Sequence, residues 1–340
     1  MARGRERVGP LAPGSSSYPR SSMVGGARPK GVGSKHLYFI ESLFRLPRRF
    51  KTISNFEKKT IDVEGISTGF EGISTGYLTA GAGGAPLVLL HGVGTSAGEW
   101  TWVLPALARN HLVYAVDLPG YDGSSEPSDY SPTFTARFIG AFLDAVGVES
   151  AVVVGNSFGG LVALHLALSE PERVSALVLA DSAGLGQAVN PAIVGLTLPG
   201  SGQLVAAWEN TPPGAFQRAF RRALLMFARP WQIRPKWLTG QYKVAQRRNF
   251  TETTLQSLRT AVGLMGQREV LLEQLPRLQM PTLVVWGMED RVIPYWQANA
   301  AVTRLQKGTL KLIPNCGHLP HVEQPKRFVS ILGEFLGDLS

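Results

Sequence analysis

A β-branched run that turns through glycines into an apolar helix, Ala151-Val-Val-Val-Gly-Asn-Ser-Phe-Gly-Gly-Leu-Val-Ala-Leu-His165, dictates what must surround it. A serine at a sharp strand-to-helix turn takes a strained backbone, and only small residues two before and two after avoid the neighbouring chain; Gly155 and Gly159 meet that need. The Ser157 hydroxyl then stands above the sheet as a candidate nucleophile, and the Phe158 N–H at the first helical turn points to where an oxyanion forms. The pattern G-x-S-x-G occurs four times, so it is weak alone. Two copies, centred on Ser67 and Ser74, lie in a tandem heptad from Glu64 to Tyr77 and read as an N-terminal hairpin. The copy at Ser96 starts beyond its strand and reads as a loop before a helix. Only Ser157 has a strand running straight through the motif into a helix.

Strands and helices alternate from Thr60. A hairpin is expected at 60–63 and 75–80, strands at 86–91, 111–116, through 177–180, 282–286 and 309–313, and helices at 100–108, after Ser131-Pro132, and from 325 to 336. Buried strands alternating with helices predict an α/β fold, a mostly parallel sheet covered on both faces. Between Asp181 and Gln279 that rhythm breaks into helical patterns rich in aromatics and arginines, so 185–275 reads as a helical cap between two core segments, 60–184 and 276–340. Its aromatics form the cap's own core or line an apolar substrate cavity.

The net charge of +9 suggests nucleic-acid binding until it is mapped. Residues 1–60 hold 13 Lys+Arg against 3 Asp+Glu, and the other 280 hold 21 against 22. The body is nearly neutral, and no nucleic-acid partner is expected. Residues 1–35, rich in Gly, Ser, Pro and Arg, read as a disordered basic leader: a transit peptide, or an over-long start with Met23 a second initiator. Segment 36–59 opens with a basic amphipathic stretch at 36–50, packed on protein or lying on a membrane surface. No run reaches membrane-spanning length. The single cysteine, Cys316, forms no internal disulfide and fits a reducing, cytoplasmic setting.

A serine needs a base, and the base an orienting carboxylate. Of six histidines, His36 lies near the leader, His111 opens a strand, His165 is two helical turns past Ser157, and His91 shapes the loop it precedes. His318 and His321 remain, in the loop after the last strand. His318, beside Gly317, is the better base, and His321 reads as a surface or rim residue. Asp290, after the 282–286 strand, is the leading acid, with Glu289 and Asp181 as the other carboxylates at that edge. No phosphate loop, paired cysteines or metal-spaced carboxylates occur, so neither cofactor nor metal is expected.

Taken with His91-Gly-Val-Gly94, Asp117-Leu-Pro-Gly120, Trp286-Gly-Met-Glu-Asp290, Gly317-His318 and Glu323-Gln-Pro325, the order Ser, Asp, His resembles the α/β-hydrolase superfamily from about residue 60 to the end. The resemblance implies an eight-stranded sheet with an inserted cap. It also implies Ser157 as nucleophile, His318 as base and Asp290 as orienter, with Val93 and Phe158 N–H groups as the oxyanion hole. Serine at the elbow argues against dehalogenases and epoxide hydrolases, which carry aspartate there. Gly-Asn-Ser-x-Gly-Gly is also frequent in hydrolases of ring-fission products, but those usually place tryptophan where this chain has Leu319, and no cap arginine is assignable. Hydrolysis of small-molecule carboxylic esters therefore leads. C–C bond hydrolysis and a non-catalytic ligand receptor are the alternatives, and oligomeric state is open.

Overall fold

The computed structural model describes residues 56–65, 70–247 and 249–338. The leader at 1–35, the stretch at 36–50 and the tip of the heptad hairpin, with Ser67, fall outside them. Strands β1 (Glu57–Gly65), β2 (Phe70–Ala80), β3 (Leu87–Leu90), β4 (Val113–Val116), β5 (Ala151–Asn156), β6 (Val174–Ala180), β7 (Thr282–Gly287) and β8 (Gly308–Ile313) form one sheet. Its order is β1-β2-β4-β3-β5-β6-β7-β8. The heptad does make a hairpin: β1 and β2 pair antiparallel with Thr60 opposite Gly76. β2 also runs antiparallel to β4, and every later pairing is parallel.

Alternation within β3 shows why both faces are covered. Leu87 and Leu89 join one buried cluster with Trp100, Leu104, Phe328 and Leu332, whereas Val88 and Leu90 join the other with Phe138, Phe142 and Leu166. Helix α1 (Pro132–Ala145) starts as its sequence requires: Ser131 Oγ accepts the Phe134 N–H at 3.2 Å, with Pro132 in the first turn. Its Phe142 meets Tyr77 edge-on at 5.4 Å. Helix α2 (Phe158–Ser169) is apolar all round because α1 and the sheet enclose it. The helix expected at 100–108 is instead a 3₁₀ segment, Ala97–Trp102, and a single turn, Leu104–Leu107; Pro105 fits only its first turn. Ser96 caps the 3₁₀ segment by accepting the Gly98 N–H, as a loop leading to a helix does.

Among the described residues, five α-helices lie between β6 and β7, namely α3 (Pro191–Thr197), α4 (Ser201–Glu209), α5 (Pro212–Met226), α6 (Pro235–Ala245) and α7 (Phe250–Ala261), followed by a hairpin of two-residue strands, Val262–Gly263 with Gly266–Gln267. Among the described residues, helix α8 (Trp296–Val302), a single turn at Pro320–Glu323 and helix α9 (Pro325–Gly337) follow. The aromatics of this insertion divide between buried core, one of the two expectations, and an outward face that neither anticipated. Trp237 is buried edge-on against Phe227 at 4.8 Å, whereas Trp208, Phe216, Phe220 and Trp231 face outward.

Candidate active site

Ser157 ends the run from β5 into α2 with φ 55 and ψ −118, a conformation L-residues avoid and the reason for the flanking glycines. A Cβ on Gly155 would lie 2.2 Å from the Gly159 carbonyl oxygen, and one on Gly159 would lie 2.4 Å from that of Leu90. The turn therefore needs hydrogen at both positions.

Asp290 follows β7 in a tight turn: its Oδ1 accepts the N–H groups of Val292 and Ile293 at 2.7 and 3.1 Å. Its Oδ2 lies 2.8 Å from Nδ1 of His318. A carboxylate can only accept, so Nδ1 carries the hydrogen and Nε2 is left to accept. The His318 loop is fixed from several sides. Its N–H donates to the Met226 carbonyl at 2.8 Å, its carbonyl accepts from Asn156 Nδ2 at 3.1 Å, and Glu323 accepts the Gly317 N–H at 2.7 Å. Glu289 takes the Cys316 N–H at 3.0 Å, so the neighbouring carboxylate holds backbone rather than the imidazole.

Ser157, His318, Val93 and Phe158 line one cavity of about 100 Å³ between the sheet edge and the helical insertion. Ile193, Met226, Leu258, Ile293 and Leu319 make its walls apolar, and Thr95, Glu99 and Arg222 supply polarity at one side. Glu99 accepts from Trp237 Nε1 at 3.3 Å and Gln241 Nε2 at 3.2 Å. Burial raises its carboxyl above the ordinary range, against the pull of Arg222. The loop carrying Val93 is pinned from α5: Arg218 donates to the Gly94 carbonyl at 2.8 Å and Arg222 to that of Val93 at 3.4 Å. Burial lowers the Arg218 guanidinium to about 9.

Asp181 sits at the end of β6 with φ 46, fully buried. Its Oδ1 accepts the Gly287 N–H at 2.9 Å. One oxygen each of Asp181 and Asp290 and one ring nitrogen of His318 lie within 4.8 Å of one another. Burial, reinforced by the Asp290 carboxylate, raises Asp181 well above the carboxylate range. Asp290 accepts two backbone N–H groups and the imidazole while Asp181 accepts one, so Asp181 is the member that holds a proton. Three such groups could ligate a cation, but Asp290 is already ringed by N–H donors, which suits a proton relay better.

His91 shapes its loop as expected. The Leu118 N–H donates to Nε2 at 3.0 Å and Nδ1–H meets the Gly92 carbonyl at 2.8 Å, and burial lowers its pKa to about 4. His165 pairs with Glu269 at 2.7 Å, away from the cavity. His321 corrects the expectation of a rim residue. It is buried and stacked on Trp100 at 4.1 Å, neither ring nitrogen has a partner, and burial pulls it down to about 3. The helix that starts at Pro320 turns it inward against Phe328, and no local pattern announces this. Asn156, Glu99 and Arg222 were not given roles from sequence, and Asp181, an alternative orienter there, stands beside Asp290 instead of replacing it. Of the first three, only Asn156 had a signal in the sequence, a polar residue inside a buried strand.

The family model described as alpha/beta hydrolase fold matches residues 85–325. The chain is 32% identical over 277 residues to 2-hydroxymuconate semialdehyde hydrolase of Pseudomonas sp. (strain CF600), covering 78% of this chain and 92% of that one. It is 30% identical over 259 residues to pimeloyl-[acyl-carrier protein] methyl ester esterase of Aeromonas hydrophila subsp. hydrophila, covering 75% and 96%. Among solved structures, a meta-cleavage product hydrolase from Pseudomonas fluorescens IP01 superposes with a TM-score of 0.69 at 25% identity, covering 83% of this chain and 98% of that one. Elbow, sheet order and these matches agree, and the chain belongs to the α/β-hydrolase family.

Proposed function

We propose that the protein is a serine hydrolase that cleaves carboxylic esters of small to medium, fairly apolar substrates through an acyl-enzyme. The observation that carries this reading is the His318–Asp290 hydrogen bond of 2.8 Å under an apolar cavity that Ser157 also lines. Asp290 holds Nδ1–H, so Nε2 of His318 takes the Ser157 proton as Oγ attacks the ester carbonyl. The N–H groups of Val93 and Phe158 receive the oxyanion. His318 returns the proton to the leaving alcohol, then activates water to release the acid. Residues 185–275 act as the cap that keeps bulk water from the acyl-enzyme.

Arg222 in the cavity wall favours a second reading, C–C bond hydrolysis of an acid-bearing ring-fission product, since its buried Nε has no partner. The wild-type preference among p-nitrophenyl esters of rising acyl length and one ring-fission dienoate, with Ser157→Ala as the control for the nucleophile, decides between them. The proposal expects ester turnover to fall by roughly 10⁶ in the variant. Preference for the dienoate, lost in Arg222→Met, assigns C–C hydrolysis. Tight ligand binding without turnover makes the protein a receptor.

A further inference from the structure

Helix α5 is packed inside out. Its buried face carries Ala215, Ala219 and Ala223, whereas Phe216, Phe220 and Leu224, spaced four apart on one stripe, face solvent. Leu204 and Trp208, four apart on α4, extend the stripe, and Trp208 Nε1 donates to Gln217 of α5 at 2.6 Å. Leu204 is 77% exposed, Trp208 48% and Phe220 53%; Leu264 and Met265, at the tip of the hairpin packed on α3, reach 73% and 82%. Ten of the twelve exposed large apolar side chains among the described residues fall within 185–275. Scattered apolar residues are ordinary on a surface, but this concentration on consecutive, mutually packed elements is not.

Charge says what would cover them. Residues 185–275 hold 11 Lys+Arg against 4 Asp+Glu, a balance of +7, while the rest of 61–340 holds 10 against 18, or −8. Arg218 is buried and Arg222 lines the cavity at Ser157, but Arg221, half-exposed and paired with Glu209, Arg259 beside Gly202 of α4 and the exposed Arg268 beside Gly263 of the hairpin rim the stripe, and such a rim attracts a negative surface. Large apolar and aromatic side chains among excess arginine and lysine are the composition that enters a lipid headgroup layer. A second cavity, about 360 Å³, lies behind the stripe. Val205, Leu224 and Leu255 line it beside the charged Glu209, Arg218 and Arg221, and it shares Ile193, Leu196, Met226 and Arg222 with the cavity at Ser157.

We propose that the outer face of α4 and α5, with the 264–265 hairpin tip, docks the protein on an anionic lipid surface. Docking places the second cavity over the bilayer, so that an amphiphile leaving the membrane passes toward Ser157 without crossing water.

The test is co-sedimentation of the full chain with phosphatidylcholine vesicles, with and without phosphatidylglycerol, for wild type and for the triple variant Leu204→Glu, Phe220→Glu, Met265→Glu. All three side chains are more than half exposed, so thermal melts should coincide. The expected result is binding to the anionic vesicles only, weakened by salt, with a blue shift of tryptophan emission; the triple variant binds at least about tenfold more weakly. Ser157→Ala binds like wild type, which separates this result from the hydrolase reading. Absence of binding, salt-insensitive binding, or full retention by the triple variant overturns the proposal. So does a wild-type dimer that the triple substitution converts to monomer without any effect on vesicles, since the face would then join two copies.

Discussion

Replacing Asp181 by asparagine tests whether the second buried acid carries charge. Asparagine keeps an acceptor for the Gly287 N–H and offers N–H where a protonated carboxyl offers O–H, so the fold should be retained. If Asp181 were ionised, its charge would sit within 4.8 Å of the His318 ring. At an effective dielectric of about 20, that separation gives an attraction of ~3.5 kcal/mol for the imidazolium. Removing it would move the acid limb of kcat/KM down by about 2.5 pH units. With Asp181 neutral, the limb should stay within ~0.5 unit of wild type. Initial rates on a p-nitrophenyl ester across the acid limb read the shift directly. A protonated-carboxyl stretch in the infrared spectrum at neutral pH, absent from Asp181→Asn, gives independent confirmation. The groups facing Asp181 are the carboxylates of Asp290 and Glu323, the His318 ring and the Cys316 thiol, which burial keeps protonated, and the charged neighbours that act on Asp181 are both negative. A downward shift of more than one unit, or no change in the infrared band, refutes the neutral assignment.

Acid lability follows from two other buried groups. His321 and His91 are depressed from 6.5 to about 3 and about 4, so the stability they support is complete above pH 6.5 and declines as pH falls toward those values. Each contributes a slope of up to ~1.4 kcal/mol per pH unit, opposed over the same range by the raised Asp117 and Asp181 carboxyls, so in urea melts His321→Phe should lose less stability in acid than wild type, by up to that amount per unit between neutrality and pH ~5. An equal slope in that variant rules the effect out. Gly155→Ala drives a methyl into the Gly159 carbonyl and should cost about 3 kcal/mol or more, read as a lower urea midpoint. Asn156→Ala removes donors from the Ala180 and His318 carbonyls, so kcat should fall by about tenfold or more with little change in KM.

The elbow was legible because its constraint is local: a strand, two glycines and a helix start adjoin in the chain, and only hydrogen fits beside the Gly159 and Leu90 carbonyls. Asp290 and His318 were legible as strand-end residues, since a parallel sheet gathers such loops at one edge. What stayed hidden depends on contacts across long stretches of chain. Glu99 meets Trp237 and Gln241 from 138 and 142 positions away, and Arg222 reaches the Val93 carbonyl from 129. His321 differs from His318 only in which way a short helix turns it. The outward stripe on α5 was present in the spacing of Phe216, Phe220 and Leu224, but aromatic content alone read as core or cavity lining. Alanines on the opposite face were the missed signal.

Intact-mass analysis after exposure to a fluorophosphonate ester, followed by peptide mapping, tests the serine hydrolase reading most directly. The expected result is one stoichiometric adduct on the Ser157 peptide, absent in Ser157→Ala and strongly slowed in His318→Ala. An adduct on another serine such as Ser96, or none on a folded protein that still turns over esters, would contradict it.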